Sequence, residues 1–231
     1  TLNCLAKYGV KVENVDGAHR HYLVPGKQRF KAQDSKVEGD WSQAAFWTVG
    51  GALGAGITAS GVDFASLQGD KAVVEIMQRM GADIVKNADS VTVNSGATQA
   101  TLIDASNCPD IIPVLTVLAA VSEGTTKIIN AGRLRIKECD RLAAMTSELN
   151  KMGAAITEEA EGLTISGKPE GLRGGVEVDA WNDHRIAMSL AIAAQCCAEP
   201  ITLAGAGSVS KSYPDFWENY KSVGGKIEVL A

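Results

Sequence analysis

Surplus positive charge, long hydrophobic runs and paired cysteines are all missing from this chain. Its 231 residues carry a net charge of −5 and a pI near 5.3. No basic field covers the molecule, which argues against a nucleic-acid-binding protein. No stretch approaches the roughly 18 consecutive apolar residues of a membrane span, and no charged-then-apolar signal segment opens the chain. Neither membrane insertion nor secretion is therefore expected. The five cysteines, Cys4, Cys108, Cys139, Cys196 and Cys197, are odd in number and scattered. They form no C-x-x-C pair and no Cys/His ligand set, so a reducing cytoplasm is the expected compartment. What the chain has is apolar material: 45% hydrophobic against 21% charged, enough for a large core in one or two domains.

The sequence repeats itself. Gly9, Gly81, Gly153 and Gly224 lie 72, 72 and 71 residues apart. Each follows an amphipathic segment and precedes alternating strand residues, as a helix-ending glycine should. The apolar stripes are Val73, Ile76, Met77 and Met80, then Leu142, Met145, Leu149 and Met152, then Tyr213, Phe216, Trp217 and Tyr220. A second helix belongs to each period. Asp40, Asp110 and Asp183, 70 and 73 residues apart, each open a nearly all-apolar run: Trp41–Leu53, Ile111–Val121 and Ile186–Cys197. Aspartate is a favoured N-cap, and a helix apolar all round must be buried. The adjacent Cys196 and Cys197 fall in the third run and read as core fillers. Strands are predicted at Ile57–Val62, Thr125–Asn130 and Ile201–Ala204, with a hairpin joining Ala155–Thr157 to Leu163–Ser166. The predicted fold is α/β, a strand–helix–strand–helix–hairpin unit present about three times. Counting the hairpin spacing forward from Ile227 runs past Ala231, and residues 1–38 match only the tail of a unit. Other chain segments are expected to complete both edges, because open strand edges are liabilities.

Chemistry concentrates in residues 124–141. Arg133, Arg135 and Lys137 alternate with apolar residues, so a strand would place all three cations on one face. Glu138 and Arg141 follow at i, i+3 on the next predicted helix. Such a cluster suits a substrate with several negative charges and a proton to be moved. The glycine-rich Gly50-Gly51-Ala52-Leu53-Gly54 lacks G-K-[ST] and lies at the end of a buried helix, so it is no nucleotide loop. His19 and His21 flank a predicted hairpin strand and lack metal-ligand spacing.

Four segments carry a family resemblance: Arg135-Ile136-Lys137-Glu138-Cys139-Asp140-Arg141, Asn182-Asp183-His184-Arg185, Val37-Glu38-Gly39-Asp40 and Lys211-Ser212-Tyr213-Pro214-Asp215. In order and wording they resemble the signature segments of the EPSP synthase (3-phosphoshikimate 1-carboxyvinyltransferase) family, along essentially the whole chain. The resemblance implies two domains, each an inverse α/β barrel of three βαβαββ units. Residues 1–38 would then be the tail of one domain, and 39–231 a three-repeat domain lacking its last strand. It also implies transfer of the enolpyruvyl group of phosphoenolpyruvate to the 5-hydroxyl of shikimate 3-phosphate, with release of phosphate, in aromatic amino-acid biosynthesis. No metal or organic cofactor is implied. The expected partners are the two small substrates and the missing N-terminal half of the enzyme, without nucleic acid or membrane.

On this resemblance Asp110 orients and deprotonates the substrate hydroxyl, and Glu138 gives and takes the proton at the methylene carbon. Lys137 contacts the shikimate ring hydroxyls. Arg141, Arg185 and Lys211 bind phosphoenolpyruvate, with His184 a neighbour. Arg133 stands where other members carry a different polar residue, and solvated strand charge is its even alternative. Each residue also has a plain structural reading: Asp40 and Asp110 as helix caps, Glu138–Arg141 as a surface pair, Lys211 as solvated charge. Two rival functions remain at this level. One is a UDP-N-acetylglucosamine enolpyruvyl transferase-like enzyme, and the other a non-catalytic repeat scaffold. Half a site predicts that this chain alone is inactive or nearly so.

Overall fold

The four repeat glycines all adopt positive φ: 79° at Gly9, 84° at Gly81, 104° at Gly153 and 99° at Gly224. Each stands one residue past a helix C-cap, where left-handed backbone ends the helix and an L side chain would be strained. These dihedrals come from a computed structural model, which describes residues 1–230.

The chain divides into two units, Thr1–Val37 and Glu38–Ala231. The first contains α1 (Leu2–Lys7) and a short antiparallel pair, β1 (Glu13–Asn14) with β2 (Tyr22–Leu23). None of its residues is buried. His19, at φ 59°, pairs through Nδ1 with the Tyr22 hydroxyl at 2.9 Å, which fixes the loop between the two strands.

The second unit carries the repeats. Its elements run α2 (Trp41–Leu53), β3 (Ile57–Ser60), α3 (Ala72–Arg79), β4 (Ile84–Lys86) and β5 (Ser90–Val93). Then come β6 (Leu102–Asp104), α4 (Ile112–Ala120), β7 (Thr125–Ile129), α5 (Arg141–Lys151), β8 (Ala155–Glu159) and β9 (Gly162–Ser166). The last are β10 (Glu177–Asp179), α6 (His184–Ala193), β11 (Thr202–Ala204) and α7 (Phe216–Ser222). The middle repeat shows the whole pattern, a sheet ordered β6-β7-β9-β8 with β6 parallel to β7 and the rest antiparallel. The first repeat has β3-β5-β4, and the third has only the parallel pair β10-β11 among the described residues. Parallel strands need a crossover helix, and α4 and α6 supply it. The architecture is α/β, as the periodicity predicts.

α2, α4 and α6 pack against one another at the centre. Every residue of α4 and α6 is buried, as their largely apolar sequences require, and the polar exceptions Thr116, His184, Arg185 and Ser189 are buried with them. Thr116 satisfies its hydroxyl by donating to the Ile112 carbonyl at 2.8 Å. Outside them, α3 and α5 bury their predicted stripes: Val73, Ile76, Met77 and Met80, and Leu142, Met145, Leu149 and Met152. Each such side chain contributes about 1.5–3 kcal/mol by leaving water. On α7 only Phe216 and Tyr220 are fully buried, within an aromatic group that includes Trp47, Tyr213 and Trp217.

Residues 132–136 differ from the sequence expectation. They form a 3-10 turn, Gly132–Ile136, and not a strand. Leu134 is buried while Ile136 is exposed, a three-residue periodicity in place of two. The three cations therefore do not share a face.

Candidate active site

The α2, α4 and α6 N-termini converge, and two of them are capped as the sequence predicts. Asp40 accepts from the Ser42 backbone N–H at 2.8 Å, and Asp183 accepts from the Arg185 N–H at 2.8 Å. Asp110 departs from the expected cap. It lies inside a 3-10 turn, Pro109–Ile111, where it makes no capping bond. Pro109 starts that turn without needing an N–H partner. The Asp110 carboxylate is thereby left to face cations.

Arg141, the first residue of α5, gathers the site. Its side chain is 1% exposed, and its guanidinium touches three carboxylates from three separate elements. Nε donates to Asp183 Oδ2 at 2.8 Å, Nη1 to Asp110 Oδ1 at 2.8 Å, and Nη2 to Glu138 Oε2 at 2.6 Å. A planar fork is what lets one side chain serve three directions. Lys137 adds a second cation 3.2 Å from Asp110 Oδ1, and Arg185 a third 3.5 Å from Oδ2. Arg185 also donates to Ser42 Oγ at 3.1 Å, joining the start of α6 to the start of α2.

These contacts set the ionisation states. Burial alone would raise the Asp110 carboxyl, but the charges of Arg185, Arg141 and Lys137 outweigh it and hold its pKa below the usual range. Asp183, wholly buried, is likewise held low against its burial by Arg141. Burial lowers the His184 pKa, with Asp183 opposing and Arg185 assisting, so the imidazole is kept neutral. Its Nδ1 is buried, lies 3.8 Å from Asp183 Oδ1, and has no hydrogen-bond partner. Burial, then Asp183, pushes the Cys139 thiol up to about 12.

Of the residues singled out in the sequence, Asp110, Lys137, Glu138, Arg141 and Arg185 meet in this one cluster, and His184 borders it. Lys211 stands beside it, gripped by the Asn182 backbone carbonyl and by Asn182 Oδ1 at 2.8 Å. Arg133 is not brought in. It is exposed, with Nη1 3.5 Å from the Ser106 carbonyl. Arg135 is committed to Asp140 at 2.8 Å and Glu158 at 2.6 Å, so it also points elsewhere.

Sequence reasoning passed over three participants. Asp183 reads as a cap, yet its second oxygen holds Arg141 from 42 residues away. Ser42 reads as helix interior, yet its hydroxyl receives Arg185. Asp70, in the 3-10 turn Gly69–Lys71, has its pKa raised to about 6 by burial and then by the charge of Asp110. Nothing in its local sequence separates it from a solvated aspartate.

Three cations, two accessible carboxylates and three helix N-termini make a surface for a polyanionic substrate undergoing proton transfer. Among the described residues no group of three or more His, Cys, Asp or Glu is arranged to hold a metal, and no helix is long and apolar enough to cross a membrane.

Comparison with known proteins covers the stretch of chain that carries these residues. A family model described as EPSP synthase (3-phosphoshikimate 1-carboxyvinyltransferase) matches residues 1–220. The 3-phosphoshikimate 1-carboxyvinyltransferase of Clostridium kluyveri is 51% identical over 228 residues, covering 99% of this chain and 53% of that protein. The enzyme of the same name from Clostridium perfringens is 52% identical over 229 residues, with the same two coverages. Among solved structures, EPSP synthase from Acinetobacter baumannii superposes with a TM-score of 0.84 at 29% identity, covering 98% of this chain and 54% of that one. The enolpyruvyl transferase NikO from Streptomyces tendae, at 21% identity and a TM-score of 0.74, shares the fold. The chain spans about half the length of the curated relatives it matches. With its repeats, its Arg141-centred cluster and a match over 220 of its residues, this chain belongs to the EPSP synthase family.

Proposed function

We propose that this chain forms one wall of a 3-phosphoshikimate 1-carboxyvinyltransferase. The enzyme would move the enolpyruvyl group of phosphoenolpyruvate onto the 5-hydroxyl of shikimate 3-phosphate and release phosphate. The observation that carries this reading is the Arg141 guanidinium held at once by Asp110, Glu138 and Asp183 where three helices begin.

In the addition step the hydroxyl oxygen attacks the enol carbon of phosphoenolpyruvate. Asp110 orients that hydroxyl and receives its proton, while Glu138 gives a proton to the methylene carbon. In the elimination step the C–O bond to phosphate breaks, Glu138 takes a methyl proton back, and the departing phosphate carries off the proton held by Asp110. Arg141, Arg185 and Lys211 bind the carboxylate and phosphate of phosphoenolpyruvate, Lys137 meets the ring hydroxyls of the acceptor, and His184 adjoins them. No role is assigned to Arg133. A carboxyl with a depressed pKa is a weak base, so Asp110 needs help from its ligand. An incoming anion that shares Arg185 and Lys137 weakens their hold on Asp110 and raises its proton affinity during turnover.

Residues 1–38 are proposed to complete another domain of the same enzyme, and 39–231 to form a three-repeat domain whose third sheet takes its last strand from elsewhere in the protein. The unequal sheets support this: among the described residues there are four strands in the middle repeat against two in the third. The remaining substrate ligands would lie on the missing N-terminal half, and a cytoplasmic location suits the free thiols.

The test is phosphate release from phosphoenolpyruvate plus shikimate 3-phosphate, by this chain alone and mixed with the missing half. Turnover only in the mixture is expected. Full turnover by the chain alone overturns the half-site reading, and none in a properly assembled mixture overturns the function.

A further inference from the structure

Glu148 is a buried carboxylate for which the proposed chemistry has no use. It lies on α5, only 1% exposed, among the core side chains of that helix. Its four hydrogen bonds leave neither oxygen idle. Oε2 accepts from Lys151 Nζ at 2.6 Å and from the Asp179 backbone N–H at 3.0 Å. Oε1 accepts from the Trp181 indole Nε1–H at 3.0 Å and from Ser147 Oγ at 3.1 Å. Burial opposes ionisation, but these donors prevail, and its pKa stays below the usual glutamate value. A buried charge so fully satisfied is expensive to build and specifies local geometry.

The geometry it specifies is the turn Ala180–Asp183. The Asp183 N–H donates to the Ala180 carbonyl at 2.9 Å, closing four residues. Both central residues, Trp181 at φ 50° and Asn182 at φ 52°, lie in the left-handed region. That is the requirement of the mirror-image type I′ turn, which Gly, Asn and Asp dominate. Asn182 suits its place; tryptophan does not, and something outside the turn must hold it. Glu148 does so from two points, on the strand residue Asp179 before the turn and on the Trp181 ring within it. From this one turn issue two contacts of the active site: Asn182 grips Lys211, and Asp183 grips Arg141.

We propose that Glu148 is a positioning residue for the phosphoenolpyruvate-binding groups. It fastens the Trp181–Asn182 turn and so places Lys211 and the Asp183–Arg141 pair. The proposal rests on the reading that these groups bind phosphoenolpyruvate. Glu148 itself touches no reacting atom.

The discriminating variant is Glu148→Gln, of nearly the same size but with an amide NH2 facing hydrogen-bond donors. Two readouts are needed. On the chain alone, the rate of Lys211 acylation by an amine-reactive ester, followed by mass spectrometry, reports whether Asn182 still holds the ammonium. On the enzyme completed with its missing half, steady-state kinetics separate binding from turnover. Glu148→Gln is expected to speed Lys211 acylation several-fold and to raise KM for phosphoenolpyruvate about tenfold or more, with a smaller fall in kcat. Trp181→Phe, which removes the indole donor and keeps one aromatic ring, should move both in the same direction by less. It decides the question if Glu148→Gln does not fold. Ile165→Val, a core change on β9, serves as the destabilised control and should move neither. Wild-type acylation and KM in the folded Glu148 variant, or equal changes in the Ile165 control, would overturn the proposal. A completed wild-type enzyme without turnover would sink the functional reading, while Lys211 acylation would still decide the place of Glu148.

Discussion

At the N-terminal ends of α2, α4 and α6, the chain gathers Asp110, Glu138 and Asp183 around Arg141, with Lys137 and Arg185 beside them. At the C-terminal ends of the same helices lies a cavity of about 570 Å³, lined by Leu53, Val121, Glu123, Glu170, Gln195 and Cys196. The presence of a cavity does not suit that end to the proposed chemistry. Helix C-termini present unpaired carbonyls and partial negative charge, and Glu123 and Glu170 add to it. The thiols there supply neither a cation nor a reactive thiolate, because burial pushes Cys196 to about 12 and Cys197 to about 11. Concavity and competence are therefore separate properties of this core. The end that suits anions is recognised by helix polarity and paired charge, not by volume.

The contrast between the two ends can be broken most severely at Arg141. Arg141→Met leaves wholly buried Asp183 without its counter-ion, and a loss of about 3–5 kcal/mol in urea unfolding is expected. A loss below about 1 kcal/mol would mean that this guanidinium does not organise the charged end. Next come Asp110→Asn and Glu138→Gln in the completed enzyme, each expected to lower kcat by about 10²–10⁴-fold. Because the Glu138 side chain is 41% exposed, its substitution should change stability by less than about 1 kcal/mol. Retained turnover in either variant would remove that residue from the proton transfers.

Asp70 sharpens the comparison through pH. Its pKa is about 6 in the folded chain against an ordinary 3.8, so the folded state binds the proton more tightly. Its contribution to stability therefore falls as pH rises through that window, and the penalty is complete above about 6. Asp70→Asn should raise the melting temperature at pH 8 and bring little gain at pH 4. A pH-independent gain would count against titration of Asp70. Asp110, Asp183 and Glu148 have the opposite sign: their depressed pKa values add stability that is lost only as pH falls below the ordinary carboxylate range. The smallest effect is expected at the roomy end. Glu123→Gln with Glu170→Gln should change stability by no more than about 0.5 kcal/mol and leave turnover intact. A marked loss of turnover would show that the two ends are coupled.

Periodic features of the fold were legible in the sequence. The helix-ending glycines, the three buried helices and the stripes of α3 and α5 follow from local rules, and each stands where those rules put it. The cationic ribbon was misread because alternation over five residues fits a strand as well as a tight turn. The choice fell to burial of Leu134 and to partners of Arg135 that arrive from Asp140 and Glu158. Asp110 carries both a capping and a substrate-binding expectation from the sequence, and the backbone geometry shows that it makes no capping bond and faces cations. Glu138–Arg141 was visible at i, i+3, although Glu138 lies before the helix that begins at Arg141 and not on it, because Asp140 caps the helix there. The Asp183 that completes Arg141 was not visible, since no local rule pairs residues so far apart.

Arg185 touches all three repeats: it belongs to the third, donates to Ser42 of the first, and approaches Asp110 of the second. In an open array of repeats, each module leans only on its neighbours, and melting can start at an end and spread. A side chain that links first to last turns the row into a ring without a weak terminus. The repeat domain should accordingly lose its structure in a single all-or-none event.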